Sequence, residues 1–165
     1  VVARLAQTLG RMNIRPGAIS DAGSIAALVR DFEPLLVEDA ATSAPFWESM
    51  SEVAHAQNLG SERFRYVVAE SDGQLIGFIA MRDDFHLFNL FVSSHHRRRG
   101  IARTLWNTAL QQLPNLPAER CITVNASLNA VAVYRALGFV EAGSVVRAHG
   151  IAFVPMQRGT VANAA

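Results

Sequence analysis

The stretch Ser93-Ser94-His95-His96-Arg97-Arg98-Arg99-Gly100-Ile101-Ala102 lies between two segments of different character. Before it, Leu87 to Val92 reads Leu-Phe-Asn-Leu-Phe-Val, a run that suits a buried strand. After it, Arg103 to Leu113 has the apolar spacing of a helix. A strand that ends in a cationic turn and opens into a helix through a glycine suits a pyrophosphate. The first backbone N–H groups of a helix have no intrahelical partner, and the helix dipole adds about half a positive charge at that end. Gly100 lets the main chain approach an anion closely, because no Cβ stands in the way.

The rest of the chain arranges itself around this turn. Asn13 to Pro16 reads as a short strand and Ser20-Asp21 as an N-cap, after which Ile25, Leu28, Val29 and Phe32 recur at helical spacing. Pro34 stops or kinks that helix. Pro45 opens a second helix with Phe46, Met50 and Val53 on one face, ended by Asn58 to Ser61, and Leu35 to Ala44 reads as a flexible connection between the two. Arg65 to Glu70, Gln74 to Met81 and His86 to Val92 form a three-strand meander, turned at Ser71-Asp72-Gly73 and Asp83-Asp84. Pro114 and Pro117 bracket a loop, and Ile122 to Val124 is a strand. Asn129 to Leu137 is a helix stopped by Gly138, and Phe139 to Val146 with Ile151 to Met156 make a last hairpin. This order predicts a mixed α/β (α+β) domain of about 6–7 strands and about four helices, with the Gly100 helix crossing between two parallel strands.

Composition narrows the function classes. A chain of 165 residues suits one domain, and with 50% hydrophobic and 18% charged residues it affords a full core. Net charge is +1, so no global field draws it to nucleic acid or to a membrane surface. The arginine cluster at Arg97 to Arg99 has no interleaved aromatics, which argues against a nucleic-acid module. All 15 basic residues are arginine, so no lysine can act as nucleophile or Schiff base. The single cysteine, Cys121, makes an internal disulfide impossible, fits a reducing compartment and reads as inert core. No apolar stretch approaches the ~20 residues of a membrane span. His95 and His96 read as solvated loop residues, without the further ligands a metal needs. His55 and His149 read as surface, and Trp106 as core. Residues 1–12 carry Arg4 and Arg11 and no acid, and read as a peripheral tail or helix before a domain over 13–160.

Two motifs carry a family resemblance. Arg97-x-x-Gly100-x-Ala102, after the strand Leu90-Phe91-Val92, resembles the Q/R-x-x-G-x-G/A signature of GNAT-superfamily N-acetyltransferases. Asn125-Ala126-Ser127-x-x-Ala130-x-x-x-Tyr134-x-x-x-Gly138-Phe139 resembles that family's second cofactor motif, and Gly150 to Met156 is similar to the closing strand of some bacterial members. The signature alone is weak; two motifs in the right order, about 30 residues apart, are specific together. The resemblance covers nearly the whole chain from Asn13 and implies a GNAT-like fold with a central mixed, mostly antiparallel sheet.

The resemblance implies acetyl-CoA as co-substrate and no metal. The diphosphate would sit on backbone amides of Arg98 to Arg103, including Gly100, Ile101 and Ala102. Side chains of Arg97, Arg98, Arg99 and Arg103 would add charge-assisted bonds worth ~1.5–3 kcal/mol each, with Arg99 and Arg103 on one helix face. The pantetheine arm would pair with Leu90, Phe91 and Val92, where the strand splays from its neighbour, and the Leu90 N–H would polarise the thioester carbonyl. Tyr134 aligns with the tyrosine that protonates the departing thiolate; a phenol of pKa ~10 is protonated at neutral pH. The structural alternative for Tyr134 is a half-buried helix tyrosine with its hydroxyl at the surface. Asn125 and Ser127 would bond the cofactor arm or the acceptor, Asn125 alternatively capping the strand end; the family often has Asn where Ser127 stands.

The general base departs from the family pattern. Many relatives carry a Glu on the strand before the signature, and none stands here. His86 is the first candidate, set against a purely structural histidine; Glu70 is the second; a deprotonated amine or a water chain needs neither. The expected reaction is direct attack by a small-molecule or peptide amine in a ternary complex, in the cytoplasm, with no acetyl carrier, since Cys121 precedes the cleft-forming end of its strand. Phe46, Trp47 and Met50 line the acceptor pocket or simply fill core. The resemblance admits a homodimer paired through the last strands. The rival function is a non-catalytic acyl-CoA-binding or sensor domain on the same fold.

Overall fold

Tight turns set the register of the first half of the sheet. Asp72 and Gly73 (φ 51° and 77°) and Asp83 and Asp84 (φ 52° and 64°) take left-handed backbone, which glycine and short polar side chains tolerate. They join β2 (Phe64–Ser71) to β3 (Gln74–Arg82) and β3 to β4 (His86–Val92) as antiparallel pairs. β1 (Met12–Pro16) lies antiparallel on the outer side of β2. In the second half, β5 (Cys121–Ser127), β6 (Val140–Glu141) and β7 (Val146–Ala148) all pair antiparallel with β8 (Ile151–Gly159). One parallel contact, β4 on β5, joins the halves into a sheet ordered β1-β2-β3-β4-β5-β8-β6, with β7 also on β8. This computed structural model describes residues 12–114 and 120–159.

The sheet is the middle of three layers. Alternate residues of β2 and β3 face opposite sides, as strand geometry requires. Val67, Ala69, Ile79 and Met81 pack with Ile101, Leu105 and Trp106 of α5 (Ile101–Gln112) and Tyr134 of α6 (Val131–Ala136). Tyr66, Val68, Phe78 and Ala80 pack with Ile25, Leu28 and Val29 of α1 (Ala22–Arg30). The same face carries α2 (Glu33–Leu36), α3 (Ala44–Ser49) and α4 (Glu52–Leu59). The helix α5 links the two parallel strands, as expected of a crossover. No helix among the described residues is long and apolar enough to cross a membrane.

Several sequence expectations need correction. The strand expected over Phe139 to Val146 is two pieces, β6 and β7, which is why the sheet has eight strands; between them Ala142 N–H donates to Pro155 C=O at 2.8 Å. The helix expected from Pro45 to Asn58 breaks into α3 and α4, because Ser51 turns extended and its hydroxyl accepts the Ala54 N–H at 3.2 Å. Val53 is therefore 67% exposed rather than on a shared apolar face with Met50. Asp21 does not cap α1 through its side chain; its carboxylate accepts the Ala18 N–H and pairs with Arg15, both at 2.8 Å. Cys121 is half-buried at the first position of β5, not core. Residues 1–11 of the expected tail lie outside the described residues, as do Pro117 and residue 160, while Met12 already belongs to β1.

The stretch Leu35 to Ala44 is no flexible connection. Val37 bridges Ile151, and the N–H groups of Glu38 and Asp39 donate to Gly150 C=O at 2.8 and 3.1 Å. Arg147 adds an ion pair to Glu38 at 3.0 Å. Gly150 has φ 71°, and a Cβ on it would sit 2.2 Å from the Asp39 carbonyl oxygen, so only glycine fits this joint.

His55, expected at the surface, is fully buried under α4. Its Nδ1 lies 2.9 Å from the Tyr66 hydroxyl, and Tyr66 and Phe78 meet its ring edge to face. Burial pushes the His55 pKa down to about 4 and the Tyr66 pKa up to about 12. Between pH 6.5 and about 4 the unfolded chain therefore binds a proton here that the folded chain does not, and stability rises with pH across that window. Urea midpoints should fall from pH 7 to pH 4.5, and His55→Gln should reduce that slope, leaving the share of any other depressed histidine; an unchanged slope in the variant contradicts a neutral buried His55.

Candidate active site

The two parallel strands separate almost as soon as they meet. β4 and β5 pair only at His86 with Thr123 and Leu87 with Val124. Further along, β4 stays on β3 and β5 stays on β8 through Ser127. The β3–β4 register explains the departure: Met81 pairs with Leu87 and Ala80 with Asn89, so Phe88 is an extra, bulged residue. A bulge bends its strand, and here it opens a cleft of about 690 Å³. Ser93 N–H donates back to Ile76 C=O at 2.8 Å. By strand alternation the N–H groups of Leu90 and Val92 point into the cleft, while Phe91 bonds toward β3.

The cleft runs onto the turn at Arg97 to Gly100. Arg98 and Gly100 are left-handed, with φ 61° and 75°. Thr104 makes the first helical bond, to Gly100 C=O at 2.9 Å. Among the described residues, no acceptor meets the backbone N–H groups from Arg97 to Arg103. A Cβ on Gly100 would meet no protein atom within 4 Å, so its side is open, and its φ is one that other residues adopt at a cost of about 1–2 kcal/mol. Arg97, Arg98 and Arg103 line the cleft with Ile101 and Ala102. Arg99 does not; it lies before the N-cap Gly100, outside α5, so the expected shared helix face with Arg103 is absent. Arg103 donates to Ala136 C=O at 3.2 Å, tying α5 to the end of α6, and the Arg97 guanidinium sits 5.2 Å from the Phe32 ring centre.

Three side chains hold the centre. Tyr134, 6% exposed, lines the cleft with its ring edge-on to Phe139 at 5.7 Å. Its hydroxyl has no hydrogen bond among the described residues, and burial pushes its pKa well above the ordinary phenol value. This excludes the half-buried tyrosine with a surface hydroxyl. His86 sits at the crotch of the split, with Nδ1 2.8 Å from Thr123 Oγ1. Burial, then the nearby Arg82, push it down to about 4, so it is neutral at pH 7. Asn89 lines the cleft 8% exposed, with Nδ2 3.6 Å from Met50 Sδ and Oδ1 buried without a partner.

Asn125 and Ser127 also line the cleft, on the same face of β5 as Thr123. Phe46 and Met50 do so as well, but Trp47 does not; the Arg30 guanidinium covers its ring at 3.7 Å. Glu70 is removed as a base candidate: it pairs with Arg15 at the β1 edge and does not line the cleft. Asp83 and Asp84 are taken by Arg63 and Arg65. No carboxylate lines the cleft among the described residues, and these hold no group of three His, Cys, Asp or Glu placed for a metal. Sequence reasoning missed the contributions of Phe32, Leu36 and Phe153. Phe153 lies far in the chain from Phe32 and Leu36, and nothing local marks the three as neighbours.

Comparison with known proteins agrees with this geometry. A family model described as the acetyltransferase (GNAT) domain matches residues 31–159. Over 87 residues, 46% of this chain, the sequence is 37% identical to mouse N-acetyltransferase 8F1 and to human N-acetyltransferase 8. The match spans only 39% and 38% of those relatives' lengths. Among solved structures, a GCN5-related N-acetyltransferase from Rhodopseudomonas palustris superposes with TM-score 0.70 at 24% identity, covering 92% of this chain and 98% of that one. PaiA N-acetyltransferase from Thermoplasma acidophilum, solved in complex with coenzyme A, superposes with TM-score 0.64 at 16% identity, covering 90% and 98%. The chain belongs to the GNAT acetyltransferase family.

The unpartnered amides at the turn generate a direct test. Gly100→Asp should keep the far-UV circular dichroism of the parent, since no protein atom opposes a side chain there, and should weaken calorimetric coenzyme A affinity at least about 100-fold through charge repulsion. Unchanged affinity would contradict the diphosphate site.

Proposed function

We propose that this protein transfers an acetyl group from acetyl-CoA to a primary amine by direct attack within a ternary complex. The observation that carries the reading is the early parting of β4 and β5, which leads unpaired strand amides straight onto the unpartnered amides of the Gly100 turn. These residues fit coenzyme A: Arg97 to Arg103 offer main-chain donors to a diphosphate, with side-chain charge from Arg97, Arg98 and Arg103, and Leu90 and Val92 offer a strand edge to an amide-bearing arm. Acetyl-CoA supplies the activated thioester carbonyl.

The side chains divide the proton work. The Leu90 N–H donates to the carbonyl oxygen as negative charge builds on it. The C–N bond forms as the C–S bond breaks, so one proton must leave the nitrogen and one must reach the sulfur. Tyr134, kept protonated by burial, delivers the second. His86, neutral at pH 7, accepts the first, directly or through water, provided that Nδ1–H donates to Thr123 Oγ1 and leaves Nε2 with its lone pair. Asn125 and Ser127, on the same face as Thr123, are placed for the acceptor or the arm.

The acceptor is a small-molecule or peptide amine, and acetyl-CoA use with one free cysteine supports a cytoplasmic site of action. The domain extends over 13–160. The exposed Val140, Val145 and Val146 support pairing of a homodimer at the β6–β7 edge. One observation favours the binding-only reading, a sensor of acyl-CoA: no carboxylate base lines the cleft among the described residues.

Tyr134→Phe decides between these readings. It should lower kcat about 100-fold while calorimetric acetyl-CoA affinity holds within about twofold. A protein that binds acetyl-CoA but releases no thiol with any amine is a sensor. With His86 titrating at about 4, the rising limb of kcat/KM should track each amine's own pKa rather than a fixed value near 6.5. A limb near 6.5 shared by two amines of different basicity contradicts a His86 depressed to about 4.

A further inference from the structure

We infer that the acceptor is a primary amine carried on an apolar body of aromatic size, its nitrogen held by Asn89 Oδ1; this deepens the acetyltransferase reading and rests on it. The face of the cleft away from α5 and α6 is walled by Phe32, Phe46, Met50, Phe88, Phe91 and Phe153. Phe32 meets Phe91 edge to face at 5.2 Å, so this wall is packed in place and presents ring surface to whatever enters. A flexible polar chain gains little from such a wall, whereas an aryl or branched alkyl group buries area at about 25 cal/mol per Å².

Charge points the same way. The ionised side chains lining the cleft are Arg82, Arg97, Arg98 and Arg103, all cationic, with no carboxylate among the described residues. An anionic diphosphate would balance those at the Gly100 turn, and Arg82, beside His86, lies 3.8 Å from Asp83, which is itself held by Arg63 outside the cleft lining. A second ammonium on the acceptor would find no carboxylate among the described residues that line the cleft, and would meet like charges there. The cleft therefore disfavours polyamines.

Asn89 supplies the polar contact such an acceptor needs. Its Nδ2 is directed to the Met50 sulfur, an acceptor, which leaves Oδ1 buried and unpartnered on a residue that lines the cleft. A buried oxygen without a donor is destabilising, and an amine N–H relieves it. An amide suits this task better than a carboxylate. It accepts from the neutral, nucleophilic amine and favours the protonated form far less than a carboxylate would. Asn89 also directly precedes Leu90, whose N–H faces the thioester.

The strap at residues 37–39 works against an extended peptide. Leu36 and Ile151 both line the cleft, and the Val37–Ile151 bridge with the Gly150 bonds joins the segments that carry them. Main chain thus ties the two lining segments together at that end of the cleft, which disfavours an extended peptide there.

The test is a comparison of 2-phenylethylamine, spermidine and the peptide Gly-Gly-Lys-Gly-Gly in a thiol-release assay. We expect kcat/KM for 2-phenylethylamine to exceed the other two at least about tenfold. Asn89→Leu should raise its KM about tenfold without moving the KM for acetyl-CoA. Spermidine or the peptide performing equally well overturns the inference, and an unchanged amine KM in Asn89→Leu overturns the role of Asn89. Thiol release from none of the amines sinks the acetyltransferase reading instead. In that event calorimetry on coenzyme A-saturated protein still decides here: tighter binding of 2-phenylethylamine than of spermidine supports the apolar chamber, and the reverse, or no binding, refutes it.

Discussion

Two residue pairs hold the two halves of this sheet together. His86 with Thr123 and Leu87 with Val124 are the whole parallel contact between β4 and β5. Everything that distinguishes the cleft depends on that pairing being so short. Longer, and the strand amides of Leu90 and Val92 would be consumed by the ladder; absent, and the α1–β4 half would have no fixed relation to the β5–β8 half. The core covers the weakness of the joint. α5 leaves one strand and returns to the other across the same face, with Leu105 and Trp106 packed against residues of both halves. The split is thus opened by main-chain geometry and kept at constant width by side-chain packing.

The physical consequence is a division of labour across the sheet. On the α5–α6 side the cleft is built of backbone donors and arginines, which suit an anion of fixed shape. On the α1–α3 side it is built of rings and one buried amide. His86 stands where the two meet, bonded to Thr123 across the last rung of the ladder. Its neutrality follows from burial, and the same cause keeps Tyr134 protonated. One desolvated cleft therefore leaves a neutral imidazole and a protonated phenol, the forms that the proposed transfer requires.

Much of this was legible in the sequence, because it is written in local signals. Asp72-Gly73 and Asp83-Asp84 punctuate the meander, and Gly100 marks the turn where a strand opens into a helix. The motif residues Tyr134 and Asn125 fall where their spacing puts them, in the cleft. What was illegible depends on register and on distant partners. The bulge at Phe88 exists only in relation to β3, so an unbroken apolar run conceals it. His55 sits in a helix with Glu52, Gln57 and Asn58 and reads as solvated; Tyr66, on a strand that follows, is what buries it. Ser51 resembles any polar residue in a helical run until its hydroxyl takes the Ala54 amide and divides the helix. Arg99 looks like its neighbours in the cluster, yet it stands between two left-handed residues, Arg98 and Gly100, and is the one of the three that does not line the cleft.

The joint at Gly150 constrains how this protein can diverge. Its carbonyl takes two amides from the strap, and the Asp39 oxygen occupies the space where any side chain would go. Neither segment can gain or lose a residue without breaking the other's anchorage. Relatives that keep this lock must therefore change their substrate range by exchanging wall residues such as Phe46 or Phe153, at constant loop length, and those with longer loops here must have abandoned the lock altogether.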